Sequence, residues 1–240
     1  MKKLVLYYFF SYICKKIIFM KICGISDMHG NYNFQIDKCN VLCIAGDIVP
    51  LKIQMDTYLS FEWIKEKFIP WCESQPVDKV IVVAGNHDFF ARGKYNKVKE
   101  VFKGTKIVYL CDEEYMYDDV KFYGTPWCHI FGNWPFMVSE ESLQEKFAKM
   151  PNDVDVLITH DSPYGVSDIL LQSIAYASKG NIGNKPLADA VSDKQPKIML
   201  HGHLHSTNHE MELLKETKVY CVSVLDESYR LKYKPLYLEI

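Results

Sequence analysis

Five short apolar runs punctuate the chain, and each ends in a polar cluster. Ile22 to Ile25 leads into Asp27 and His29, and Val41 to Ala45 into Asp47. Val80 to Ala84 leads into Asn86, His87 and Asp88, Val154 to Ile158 into His160 and Asp161, and Ile198 to Leu200 into His203 and His205. Aliphatic and β-branched runs bounded by Gly, Asp or Asn predict buried strands. Between them, Asp56 to Phe68 places Leu59, Trp63 and Ile64 on one side of a helix that Pro70 ends. Ser139 opens a helix over Glu140 to Met150, weakly capped because Ser142 stands where a capping box has Glu. Asp168 to Tyr176 and Pro186 to Val191 predict two more helices, and "KVYCVSVLD" and "KPLYLEI" two closing strands. Strands alternating with helices imply an α/β domain. Ligands of open α/β sheets bind beyond the carboxyl ends of strands, where all five polar clusters fall.

Composition narrows the picture. The 240 residues are 48% hydrophobic with a net charge of −2, so one sizeable core is affordable and no global positive field points to nucleic acid. The lysines 94, 97, 99, 103 and 106 fall in a helix-like stretch and read as a solvated face. Only Arg92 and Arg230 are arginines, which leaves almost no bidentate clamps for phosphate. Eight scattered cysteines without a CxxC predict buried free thiols in a reducing compartment, hence the cytoplasm. Residues 1–19 resemble a secretory leader, with two lysines before an apolar run from Leu4 to Cys14, but no small-x-small cleavage site follows. That run is too short to form a stable membrane span. The expected organisation is an N-terminal extension over 1–19 and a single domain over 20–240, without repeats or linkers.

Taken singly, the clusters say little: D-x-H is frequent by chance, and "GD" is ordinary turn chemistry. "HGHLH" at 201–205 is the hardest to explain as structure. Together, Asp27, His29, Asp47, Asn86, His160, His203 and His205 supply imidazole nitrogen and hard oxygen without thiolate. That donor set suits Mn, Fe, Zn, Ni or Mg. Seven ligands exceed one four-coordinate ion and predict two adjacent ions about 3.5–4 Å apart, bridged by a carboxylate.

The order D-x-H, GD, GNHD, a lone His after an apolar run, and GHxH resembles the calcineurin-like metallophosphoesterase superfamily. "YGTPWCHIFGNWPF" (123–136), "DVDVLITHDSPYGVSD" (153–168) and "SVLDESYRLKYKP" (223–235) are similar to its small branch of metallophosphoesterase-domain-containing proteins. The resemblance implies a four-layer αββα sandwich of two mixed sheets with a dimetal site at the strand ends. It implies that Asp27, His29 and His205 hold one ion, that Asn86, His160 and His203 hold the other, and that Asp47 bridges. The implied reaction is in-line attack of a metal-bridging hydroxide on a phosphoester, with His87 as general acid. Asp88 either orients His87 or is an exposed turn carboxylate. His201 lies on the same face as His203 and His205 if the segment is extended, and is either a support for the ligands or a hydrogen-bonded strand residue.

One departure bears on substrate. The phosphoprotein phosphatase branch continues its GD block as GDxxDRG, whereas this chain reads "GDIVPLK", so the Asp that pairs with the catalytic His and the Arg are both missing. With so few arginines, a singly charged phosphodiester is easier to accommodate than a monoester. Trp127, Phe131, Trp134 and Phe136 either wall a pocket or pack a core, and His129, Trp127 and Arg92 are the candidate substrate contacts. A small-molecule phosphoester is the expected partner. A nuclease would carry basic surface, and an inactive scaffold would have lost ligands or His87; neither feature is present.

Overall fold

The computed structural model describes residues 19–170 and 180–240. It contains strands β1 (Lys21–Ile25), β2 (Cys39–Ala45), β3 (Val77–Val83), β4 (Ile107–Tyr109), β5 (Glu113–Tyr117), β6 (Val120–Thr125), β7 (Val156–Thr159), β8 (Ile198–His201), β9 (Glu212–Leu214), β10 (Thr217–Cys221) and β11 (Leu236–Glu239). The helices are α1 (Thr57–Trp63), α2 (Ile69–Ser74), α3 (Tyr95–Phe102), α4 (Glu140–Phe147) and α5 (Lys185–Lys194). All five apolar runs form strands, and both C-terminal segments contribute closing strands.

Two sheets result. The first has the order β11-β1-β2-β3-β4, parallel except for β11. The second has the order β5-β6-β7-β8-β10-β9, with antiparallel pairs at both edges and parallel strands between. Alternation along each strand divides the apolar side chains between two faces. Ile22, Val41, Ile81 and Val83 meet Phe122, Ile158, Ile198 and Leu200 between the sheets. Leu42, Ile44 and Val82 pack outward with Phe61, Phe68, Val98 and Phe102, and Tyr123, Leu157 and Met199 pack with Leu143, Phe147, Leu187 and Val191 on the other side. The layers are therefore α, β, β, α, the architecture expected from the resemblance.

Local corrections have physical causes. The first helix does not end at Pro70. A π-helical segment, Ile64–Phe68, shifts the hydrogen-bond frame so that Ile69 donates to the Ile64 carbonyl, and Pro70 falls in the first turn of α2, where its missing N–H is not needed. Asp56 caps α1 as its position suggests, accepting from Tyr58 and Leu59. Asn184 caps α5. Of the expected helix over 168–176, residues 171–176 lie outside the described region. The buried Asp168 carboxylate instead accepts from Gly165 N, Gly183 N and Asn181 Nδ2 at 2.7–2.9 Å. Of the lysine-rich stretch, Lys97 and Lys99 lie on helix α3 with Val98 and Phe102 inward, Lys94 and Lys103 flank it, and Lys106 lies beyond it, where its Nζ donates to the carbonyls of Glu73, Gln75 and Val77. The described cysteines are unbridged, and all but Cys111 are buried. Among the described residues no helix is long and apolar enough to cross a membrane; the leader-like residues 1–18 lie outside them.

Candidate metal centre

The polar clusters converge beyond the carboxyl ends of β1, β2, β3, β7 and β8. Their backbone is unusual there: Asp27, His29, Asp47 and His203 all have positive φ, between 42° and 71°. Non-glycine residues adopt this region at a cost of order 1–3 kcal/mol each and persist where surrounding structure imposes it. Here cross-strand bonds impose it, since Asp27 N donates to Gly46 O and His29 N to Asp47 O, each at 3.0 Å. The glycines before two of the motifs have a packing reason. A Cβ at Gly85 would collide with the Asp47 carboxylate, and one at Gly202 with Ser26 Oγ and the Asp27 carboxylate.

Ligand atoms of Asp27, His29 and His205 lie within 4.8 Å of one another, as do those of Asp27, Asp47 and His160, and of His29, Asp47 and His87. Asp47 Oδ2 is 3.7 Å from His29 Nε2 and 3.4 Å from His160 Nε2, so it stands between the two halves. His205 Nε2 is 3.2 Å from Asp27 Oδ1, and Asn86 Oδ1 is 2.8 Å from His160 Nε2. The His203 ring is 5.2 Å from that of His160, and its backbone N–H donates to the Asp27 carboxylate. All seven expected ligands are thus brought together, from segments as far apart as 27 and 205.

The surroundings aim these side chains. His160 Nδ1 donates to Ala45 O at 2.8 Å and His205 Nδ1 to Asp226 O at 3.0 Å, which turns both Nε2 atoms toward the carboxylates. Ser223 Oγ donates to Asp27 Oδ2 at 2.6 Å. His29 is the informative case: both its ring nitrogens are buried without a hydrogen-bond partner. A buried imidazole with neither nitrogen satisfied is costly on its own and reasonable as a metal ligand. The donor set of imidazole, carboxylate and amide oxygen therefore fits divalent ions.

Charge is concentrated. Burial would raise Asp27 and Asp47, but the imidazoles of His205 and His160 overcome it and hold both below the usual carboxylate range. Reciprocally, burial opposes the charge on His160 and His205, yet Asp47 and Asp27 push them up to about 10 and about 9. Burial lowers His29 and His203 to about 4.

His87 stands at the rim. Its backbone N–H donates to Asp47 Oδ1 at 2.7 Å, and its Nε2 lies 4.0 Å from Asp47 Oδ2. Its Nδ1 meets the side-chain oxygen of Gln54, a residue the sequence did not single out. The only hint was its place shortly after "GDIVPLK". Asp88 fits neither expected role: it is fully buried and accepts from the backbone amides of Asp47, Ile48, Val49 and Gly85 at 2.8–3.3 Å. His201 ends β8 and is wholly buried; its Nδ1 contacts Gly202 O. The left-handed backbone at His203 interrupts the extended alternation that would have placed His201 beside the ligands, so His201 is a strand residue.

The aromatic cluster divides. Trp127 does not wall the site: its indole N–H donates to Asp112, Lys146 Nζ lies 3.3 Å over its ring, and Phe136 packs against it. Trp134 and Phe131 do border it, with ring centroids 4.6 Å from His87 and 4.9 Å from His203. Tyr229, from the 223–235 segment, stands edge-on to His29 at 5.1 Å and to His205 at 5.5 Å. A cavity of about 570 Å³ opens beside it, lined by His29, Asn31, Lys52 and Tyr229 among others. His129 is held by Asp161, which accepts from both its backbone N–H and its Nδ1 at 2.8–2.9 Å. Burial disfavours charge on His129, but Asp161 outweighs it and raises the pKa. Arg92 is exposed and makes no side-chain hydrogen bond or ion pair among the described residues.

The family model of the calcineurin-like phosphoesterases matches residues 20–207. The chain belongs to that family. It is 29% identical over 205 residues to human metallophosphoesterase domain-containing protein 1, covering 75% of this chain and 59% of the relative. It is also 29% identical over 192 residues to a UPF0046 protein of Caenorhabditis elegans, covering 72% and 66%. The chain thus spans roughly three fifths to two thirds of the length of these relatives. Among solved structures, phosphopantetheinyl hydrolase from Mycobacterium tuberculosis superposes with a TM-score of 0.55 at 13% identity, covering 92% of this chain and 95% of that one. At that identity the likeness is one of fold. In this member of the family the His/Asp cluster is a group of side chains able to hold metal.

Proposed function

We propose that the chain hydrolyses a small phosphodiester at a dimetal centre, with Asp27, His29 and His205 holding one ion, Asn86, His160 and His203 the other, and Asp47 bridging. When bound, such a pair of dications lowers the pKa of water and neutralises phosphoryl charge. The chain's own part is to hold that centre rigidly and to manage the leaving group's proton. The observation that carries this reading is His87, anchored on Asp47 with Nε2 facing the cluster across 4.0 Å. From there Nε2 delivers a proton to the departing oxygen. The preference for a diester rests on the shortage of fixed cations: Arg92 is turned to solvent, His129 is tied to Asp161, and Lys52 in the cavity beside His29 is a point charge and no bidentate clamp.

Purified protein with Mn²⁺ is assayed in parallel on bis-p-nitrophenyl phosphate, p-nitrophenyl phosphate and cyclic nucleotides. His203→Ala and His205→Ala are expected to lose metal as well as rate. His87→Ala is expected to keep both ions and to lose about 10²–10⁴-fold on alkyl or nucleoside esters, with a smaller loss on p-nitrophenyl esters. Loss of metal from His87→Ala, or equal slowing of both ester types, removes His87 as the acid. Faster turnover of the monoester removes the diester preference.

A further inference from the structure

We infer that Gln54 is the positioning residue for His87, taking the place that a carboxylate holds in histidine–aspartate pairs; this rests on the proposed role of His87. The side-chain oxygen of Gln54 lies 2.5 Å from His87 Nδ1. An amide oxygen only accepts, so Nδ1 carries the hydrogen and Nε2 is left as the nitrogen that exchanges a proton at the cluster.

The rest of the ring's environment agrees. His87 is fixed at its backbone by Asp47 Oδ1, its ring meets that of His29 edge-on at 5.0 Å, and Trp134 covers it at 4.6 Å. None of these contacts selects between the two ring nitrogens; Gln54 does. The segment that presents Gln54 is itself braced. Ile53 N donates to Pro50 O at 3.0 Å, Asp56 N to Ile53 O at 2.9 Å, and Ser60 Oγ, buried in α1, to Ile53 O at 3.0 Å. This turn lies between β2 and α1, so the sequence that departs from GDxxDRG still returns a side chain to the catalytic histidine. The chemistry differs in one respect. A carboxylate would orient the ring and also stabilise its charged form, whereas an amide orients it without adding a negative charge.

The test measures Gln54→Leu, Gln54→Glu, His87→Ala and the Gln54→Leu/His87→Ala double variant in the Mn²⁺-loaded protein. Each is followed by metal content, melting temperature, and kcat and KM on an alkyl and a p-nitrophenyl phosphodiester. Gln54→Leu is expected to keep its metal and its KM, to lose roughly 10- to 100-fold in kcat on the alkyl ester, and to change little on the p-nitrophenyl ester. Gln54→Glu, which still accepts from Nδ1–H, is expected to recover most of the loss. The double variant is expected to match His87→Ala, because two residues that act as a unit are not additive. Equal slowing of both esters by Gln54→Leu, or additivity in the double variant, overturns the inference while the selective effect of His87→Ala leaves the general-acid reading standing. If His87→Ala itself shows no leaving-group dependence, both fall together. Should Gln54→Leu fold poorly, Gln54→Glu against Gln54→Asn carries the comparison: the glutamate is expected to be active on the alkyl ester and the shorter asparagine not, and equal activities overturn it.

Discussion

The Asp88 carboxylate serves the backbone of Asp47, not the ring of its neighbour His87. It accepts from Asp47 N at 2.9 Å, from Ile48 N at 3.1 Å, from Val49 N at 3.3 Å and from Gly85 N at 2.8 Å. Asp47 has a φ of 55°, and the three consecutive amides that Asp88 gathers begin at that residue. One buried carboxylate therefore holds Asp47 in a strained conformation and ties the β2 turn to the β3 turn.

Asp88→Asn is therefore a stability and metal-affinity variant. It keeps one acceptor oxygen but turns an NH₂ toward backbone donors that then lack a partner. With two backbone donors left unsatisfied at about 1–3 kcal/mol each, the loss is on the order of 2–6 kcal/mol. Chemical denaturation of the metal-free protein and Mn²⁺ titration of the folded protein measure the two effects. A variant with unchanged stability and metal affinity but altered leaving-group dependence returns Asp88 to the role of His87's partner.

Metal uptake is expected to release protons. Without metal, Asp47 and Asp27 raise His160 to about 10 and His205 to about 9, against an ordinary value near 6.5. Both imidazoles are therefore protonated in the metal-free protein at pH 7, and both must be neutral to bind an ion. Up to about two protons leave on loading, and affinity weakens as pH falls. The sign for stability is opposite: a folded-state pKa raised above the unfolded one contributes stability fully present below pH ~6.5 and lost as pH rises through 9 to 10. Chelator-treated protein is expected to lose melting temperature across that window, and Mn²⁺-loaded protein is not. Calorimetric titration in buffers of different ionisation enthalpy reads the proton release directly, and identical heats in all buffers contradict it.

How much of this was legible in the sequence follows from which interactions are local. The seven polar side chains that converge were, because each lies within five residues of the end of an apolar run, and a buried strand has no structural use for an Asp, Asn or His there. Gln54 and Ser223 were not. Each is an isolated polar residue whose partner is distant in sequence, 33 residues away for Gln54 and 196 for Ser223. Asp88 was misread because its partners are backbone amides of another turn, which leave no trace in side-chain pattern. Trp127 was misplaced because an aromatic cluster reads the same whether it faces ligand or core; the deciding partner, Asp112, looks like an ordinary turn residue. His201 is the strand residue that one of its two readings expected; the alternation that would set it beside the ligands presumes an extended chain, and the strand stops at that residue.

The two tryptophans give the last contrast. Trp127 is bonded to Asp112 through its indole N–H and packed under Lys146, whereas Trp134 covers His87, and Phe131, 48% exposed, lies against His203. Trp127→Ala removes the packing and the hydrogen bond of a half-buried ring, so its expected cost is about 1–3 kcal/mol of stability, with KM unchanged in the folded fraction. Phe131→Ala removes an exposed ring and leaves stability within about 0.5 kcal/mol. If the flat group of a substrate stacks there, an aromatic face contributes about 1–3 kcal/mol, and KM for an aryl or nucleoside diester rises roughly 5- to 150-fold while a dialkyl ester is unaffected. Trp134→Ala exposes His87 on one side, so it is expected to lower kcat on alkyl esters more than it raises KM. Melting curves and kinetics on matched aryl and dialkyl diesters separate the three variants. A KM effect from Trp127→Ala at unchanged stability puts the substrate on the other side of the loop and exchanges the roles of Trp127 and Phe131.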